Sequence, residues 1–201
     1  DKLTSLVVLA IGYCFSHPLL NSLNNCSSLT HLTLGGKFSH PLGNSLNNCI
    51  SLSHINFGWE FNCPLDNALD NCIALTHVNF SIKFNRPLLN SLDKCTSITH
   101  IKFGHYFNKP LSNSLYNCIS LTHLTFGWKF NCSLANSLDN CQSLVHIEIG
   151  YEFNQKCDLP VNVRYPRLDC NNKYLVENLP SSIEGIELRI DFNLELDNLP
   201  S

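Results

Sequence analysis

The 201-residue chain contains no methionine, and only 14% of its residues are charged, against about a quarter in an ordinary globular domain. With no methionine even at position 1, it reads as an excised or processed segment whose true N-terminus lies elsewhere. Basic excess is missing too: the net charge is −3, which excludes an electrostatic footprint for nucleic acid. No apolar run approaches the roughly 18 residues that a membrane-spanning helix needs. The longest candidate, residues 6–11, stops at Gly12 and follows no basic stretch, so it is neither a membrane span nor a signal peptide. There is no Cys-x-x-Cys pair, no Gly-rich phosphate loop and no His-Glu-x-x-His. These absences remove the usual zinc, nucleotide and metalloprotease signatures. Catalytic residues, cofactors and metals are therefore expected to be none.

What the chain does have is a period. Leu6, Leu29, Leu52, Leu75, Ile98, Leu121 and Leu144 stand 23 residues apart, as do Cys26, Cys49, Cys72, Cys95, Cys118 and Cys141. The same spacing carries His31, His54, His77, His100, His123 and His146. All twelve Phe fall into two slots, one holding Phe57, Phe80, Phe103 and Phe126 and the other running from Phe15 to Phe153 with Phe192 beyond. After residue 144 the period shortens, with Leu159-Pro160, Leu179-Pro180 and Leu199-Pro200 recurring every 20 residues. A single solenoid over 1–201 is expected. It divides into six 23-residue repeats (6–143), a seventh (144–162) and two shorter Leu-Pro repeats (163–201), the last truncated. Asn172 stands where the eighth repeat should place a Phe.

Within a repeat, residues 29–34 (Leu-Thr-His-Leu-Thr-Leu) alternate as a short half-buried strand, and Gly35 permits the turn off it. Pro41 then opens a segment in which Leu42, Leu46 and Cys49 lie at i, i+4 and i+7, the spacing of a short helix face. The fold class expected is an α/β repeat: a right-handed leucine-rich-repeat solenoid with a parallel concave sheet and short helices or turns on the convex side.

Residues 98–111, with the pattern Leu-x-x-Leu-x-Phe-Gly-x-x-Phe-Asn-x-Pro-Leu, resemble the FNIP (FGxxFN) class of leucine-rich repeat. That class is found in amoebae and large DNA viruses of protists, where some members carry an F-box. The Cys-x-x-Leu step, as in Cys26 to Leu29, is similar to the cysteine-containing repeats found behind F-boxes. Ser16 and Ser39 replace the Asn of Phe-Asn in the first two repeats. The resemblance implies protein binding, including substrate recognition in a ubiquitin-ligase assembly, and, for a viral member, a place in the host cytoplasm.

In an in-register stack each slot becomes a column of like residues about 4.8 Å apart. The Leu and Phe columns point inward. Asn62, Asn85, Asn108, Asn131 and Asn154 are expected to satisfy backbone groups beside the second Phe column, and Asn21, Asn44, Asn67, Asn90, Asn113 and Asn136 to brace the convex segment. The Cys column reads as buried reduced thiols, implying a reducing, cytoplasmic compartment. Cys14 is the thiol expected to be exposed.

The six His of the strand slot face the concave side, together with Lys102, Glu148, Arg164, Tyr165 and Arg167. These form the candidate protein-binding face; its middle is polar and nearly uncharged, so the C-terminal coils are expected to discriminate between partners. At the other end Val7, Val8 and Ala10 call for a covering N-terminal element. Tyr13, Trp59, His105, Trp128 and Tyr151 mark a candidate rim. Two alternatives stay open: a metal- or pH-responsive binder built on the His column, and a chain that is not a simple monomer but associates weakly end to end.

Overall fold

The computed structural model describes residues 3–189 and 192–196. Leu199-Pro200 lies outside the described residues. The chain winds as a parallel β-solenoid of about eight turns with few helices. One short strand comes from each turn: β1 (Val8–Ala10), β2 (His31–Thr33), β3 (His54–Asn56), β4 (His77–Asn79) and β5 (His100–Lys102). β6 (His123–Thr125), β7 (His146–Ile149), β8 (Tyr165–Leu168) and β9 (Glu187–Leu188) follow. All pair in sequence order in one parallel sheet. Its register places His31 on His54, His54 on His77 and so on to His146 on Tyr165.

β1 to β6 are three residues long, and only the middle residue of each, such as Leu32 or Ile55, faces the core. Behind the sheet the Leu, Phe and Cys columns are buried along the coils. Stacking distances measure the curvature. Ring centroids are 4.1–4.3 Å apart in the His column, 5.0–5.5 Å in the Phe57 to Phe126 column, and 5.9–6.3 Å in the Phe15 to Phe153 column. The coils fan apart away from the strands, so the sheet lines the concave side.

The convex segments are turns, not helices, in the 23-residue coils. Bonds run from the Ser45, Cys49 and Leu52 N–H groups to carbonyls three residues back. A residue with positive φ interrupts the segment in six coils, at Leu20 (+51°), Gly43 (+51°), Asp66 (+47°), Leu89 (+51°), Ser112 (+49°) and Asn136 (+60°). A left-handed residue cannot continue an α-helix, yet two successive turns still bring Leu42, Leu46 and Cys49 to the core. The described helix, α1 (Lys173–Glu177), sits in the shorter coils. Its cap is Asn172, in the slot where a Phe was expected. The side chain accepts from the Leu175 N–H and donates to the Gln155 carbonyl at 2.8 Å, which is how a polar group occupies that buried place.

The glycine after each strand serves a different end from the expected turn. A Cβ on Gly58 would lie 1.8 Å from the Gly35 carbonyl oxygen, so at this position the neighbouring coil leaves no room for a side chain. The Asn expectations divide. Asn62, Asn85, Asn108 and Asn131 each offer Oδ1 to the backbone N–H of the next Asn in the column, at 2.9–3.0 Å. The second column does not brace the convex side: its side chains, such as Asn44 and Asn67, are exposed. The bracing comes instead from Asn48, Asn71, Asn117 and Asn140, whose amides donate to carbonyls of the preceding coil.

Candidate functional site: the concave face

Strand alternation turns His31, His54, His77, His100, His123 and His146 away from the core, and their rings stack with interplanar angles of 9–12°. A second column fixes the first five of them. Thr30, Ser53, Thr76, Thr99 and Thr122 each place a hydroxyl 2.8–2.9 Å from the Nδ1 of the following His. The same hydroxyls donate to a carbonyl of the preceding coil at 3.0–3.2 Å. A hydroxyl has one hydrogen and a carbonyl can only accept. The hydrogen between oxygen and ring therefore belongs to Nδ1, and the neutral imidazole leaves a bare lone pair on Nε2.

Burial within the stack, reinforced by neighbouring imidazoles, lowers the pKa of His54, His77 and His100, and that of His123 to about 4. These rings are neutral at pH 7. None of the six Nε2 atoms has a hydrogen-bond partner among the described residues. The buried side-chain atom that lacks one is Asn24 Oδ1, so the half-buried His present Nε2 to solvent. The geometry makes no nucleophile: each Ser or Thr gives its proton to a carbonyl, not to the imidazole. The Cys column lies on the other side of the sheet, where burial raises Cys49 to about 11 and Cys95 and Cys118 to about 12. Among the described residues, no three of His, Cys, Asp and Glu converge as metal ligands.

The stack ends on Tyr165, 4.8 Å beyond His146. The Tyr165 hydroxyl donates to Glu184, which raises its pKa. Glu184 also pairs with Arg164 at 3.0 Å. Arg167 lies among three carboxylates, Asp169 at 3.3 Å, Glu187 at 3.5 Å and Glu148 at 3.9 Å, and Asp169 in turn holds Arg189 at 3.3 Å. Two hollows share Glu148 and Arg167. The first, about 400 Å³, is walled by His123, His146 and Tyr165. The second, about 210 Å³, reaches from Lys102 and Thr125 to His105, Trp128 and Tyr151. Concave face and rim are therefore one surface at this end.

The rim residues are exposed, Trp59 by 51%, Trp128 by 44% and Tyr151 by 42%. Trp128 and Tyr151 pack on each other at 4.9 Å. Tyr13 lies at the far end, its ring over Gly36, so Tyr13 and Trp59 are not brought to the hollows. Val7, Val8 and Ala10 are exposed at that end of the sheet. Sequence reasoning missed Asp169 and Arg189, which directly follow β8 and β9. It also missed the Ser/Thr column as the group that sets the His tautomer; the recurring hydroxyl before five of the six His was the available signal. No described helix is long and apolar enough to cross a membrane.

The fold is shared with two solved structures. CroV588, described as a novel circular leucine-rich-repeat protein, is 26% identical with a TM-score of 0.64, over 96% of this chain and 35% of its own. The internalin InlF of Listeria monocytogenes str. 4b F2365 is 14% identical with a TM-score of 0.72, over 92% of this chain and 55% of its own. The chain thus spans about a third of the first and about half of the second. Among curated proteins none matches it. The BspA-type leucine-rich-repeat region matches in six copies over residues 19–90 and 66–157. With that match spread over most of the coils, the chain belongs to the BspA-type leucine-rich-repeat family.

Proposed function

We propose that the chain is a non-catalytic module that binds a protein partner on its concave face, anchored at β7–β9. The leucine-rich-repeat fold is typical of protein–protein interaction modules. The observation that carries the reading is Arg167, set between two adjoining hollows and flanked by Glu148, Glu187 and Asp169. Arg and Tyr anchors beside desolvated pockets are what binding hot spots are made of. The likeness of residues 98–111 to FNIP repeats supports a finer context, substrate recognition in an F-box assembly; an F-box in the same full-length gene product is the finding that would carry it.

The test is comparative capture from candidate host cells with four baits: the native chain, Arg167→Glu, Tyr165→Ala and the exposed convex variant Ile73→Lys. Proteins bound by the native chain and by Ile73→Lys, but about tenfold depleted with the two concave variants, support the reading. Identical profiles from all four baits overturn it.

A further inference from the structure

The middle of the concave face carries a second chemistry. From β2 to β6 its outward residues are His, Thr, Asn and one Lys, so Lys102 is its single fixed charge. The Nε2 lone pairs form a straight row of acceptors with ring centres 4.1–4.3 Å apart. Beside them Asn79 donates to Asn56, and Asn56 to Thr33, a second row of neutral polar groups. Along the edge stand the exposed rings of Trp59 and Trp128, the latter on the same hollow as Lys102 and Thr125.

We propose that β3–β6 and the Trp rim form a binding site for an uncharged glycan chain lying along the solenoid axis. A row of bare acceptors demands donors at every rung, and carboxylates or phosphates offer none. An extended peptide along the axis repeats its outward side chains every ~6.6 Å, twice the strand rise, and falls out of step with the coils. A pyranose chain carries several hydroxyls on every ring, each a donor as well as an acceptor. Each His can therefore find an O–H donor without a fixed register, and hydroxyl oxygens can accept from Asn56, Asn79 and Lys102 in return. The aliphatic face of a sugar ring lies flat on an exposed Trp, whose body is apolar.

The His tautomer supports the assignment independently of the rim. Thr76 and Thr99 hold the Nδ1 hydrogens of His77 and His100 on the strand side, so the free edge cannot switch to a donor without becoming charged. Lowered basicity keeps those two rings uncharged at neutral pH.

The site goes beyond the protein-binding reading and does not depend on it, because its His and Asn rows lie on β2–β6; the two share only the hollow beside Trp128, which Glu148 and Arg167 also line. The experiment titrates the chain with cellohexaose, chitohexaose and laminarihexaose at neutral pH, read by calorimetry and by fluorescence of its two Trp. Hexagalacturonate serves as the acidic counterpart. At least one neutral hexaose is expected to bind saturably, and the acidic one not to. The double variant His77→Phe/His100→Phe keeps flat rings in the stack and removes two acceptors; Trp128→Ala removes a platform outside the sheet. Each is expected to weaken binding about tenfold with the melting transition retained, whereas substitution of the exposed Ile73 by Lys leaves it unchanged. Absence of binding by all three neutral hexaoses at millimolar concentration overturns the proposal. So does equal binding of the acidic one, or undiminished binding in Trp128→Ala.

Discussion

A Cβ at position 104 would lie 1.7 Å from the Ser81 carbonyl oxygen, on a backbone pinned by the neighbouring coil. Gly104→Ala must therefore push two coils apart and is expected to cost at least about 1–3 kcal/mol, the range for overpacking, read as a lower midpoint in urea denaturation. Leu89 tests the opposite case. Its φ of +51° is left-handed, and its side chain is 67% exposed, so little burial is lost on removing it. Leu89→Gly relieves about 1–2 kcal/mol of backbone strain against about 0.5–1 kcal/mol of glycine entropy, and the melting temperature is expected to rise slightly. Gly43 already fills the equivalent place two coils earlier in the stack, at the same φ. The thiols sort by burial: Cys14 is exposed, while Cys49, Cys72, Cys95 and Cys118 are fully buried and held above their ordinary pKa. Brief iodoacetamide treatment followed by peptide mass spectrometry should label Cys14 and leave those four unmodified until the chain unfolds.

Among elements, the His-bearing strands β3–β6 carry the pH response. His54, His77, His100 and His123 are less basic folded than free, so the unfolded chain binds more protons as acid is added. Their contribution is fully present above about pH 6.5 and is lost as pH falls toward the folded value, about 4 for His123. Thermal melts between neutral pH and pH 4 should show a falling transition temperature, and His77→Phe/His100→Phe should flatten the fall; parallel curves for both proteins would refute the assignment to these rings. The strands themselves were legible in the sequence, because an in-register stack converts a period of 23 directly into columns. His31 on His54 is the same statement in sequence and in space. The convex segments were less so. Leu42, Leu46 and Cys49 at i, i+4 and i+7 suit a helix face and equally suit two chained turns, and the left-handed residue at 43 that decides between them leaves no apolar mark. The role of Gly58 was hidden for another reason: its constraint comes from the Gly35 carbonyl of the coil before it, which no reading of one repeat in isolation contains.

At the scale of the whole molecule, each coil is stabilised by its two neighbours, so opening should be graded along the stack instead of all-or-none. Among the described residues the first coil is packed on one side only: Leu6, Leu9, Ile11 and Phe15 are partly buried, while their counterparts Leu29, Leu32, Leu34 and Phe38 are fully so. An interior weak point is also visible. Ser81 stands in the glycine slot of its coil, and its hydroxyl is taken up by the Phe61 carbonyl at 2.6 Å. Next to it the bond from the Lys83 N–H to the Trp59 carbonyl stretches to 3.3 Å, where the equivalents at Glu60 and Lys129 are 2.8 Å. An ion pair between Lys83 and Glu60 spans the same joint at the surface, but exposed pairs of this kind contribute only about 0–1 kcal/mol. Amide hydrogen exchange followed by mass spectrometry should therefore find the fastest exchange in the first coil and a local maximum at residues 81–84, with β5–β7 the slowest. Exchange that is uniform from coil to coil would mean that the stack opens as one unit and that neither Ser81 nor the open first coil weakens it locally.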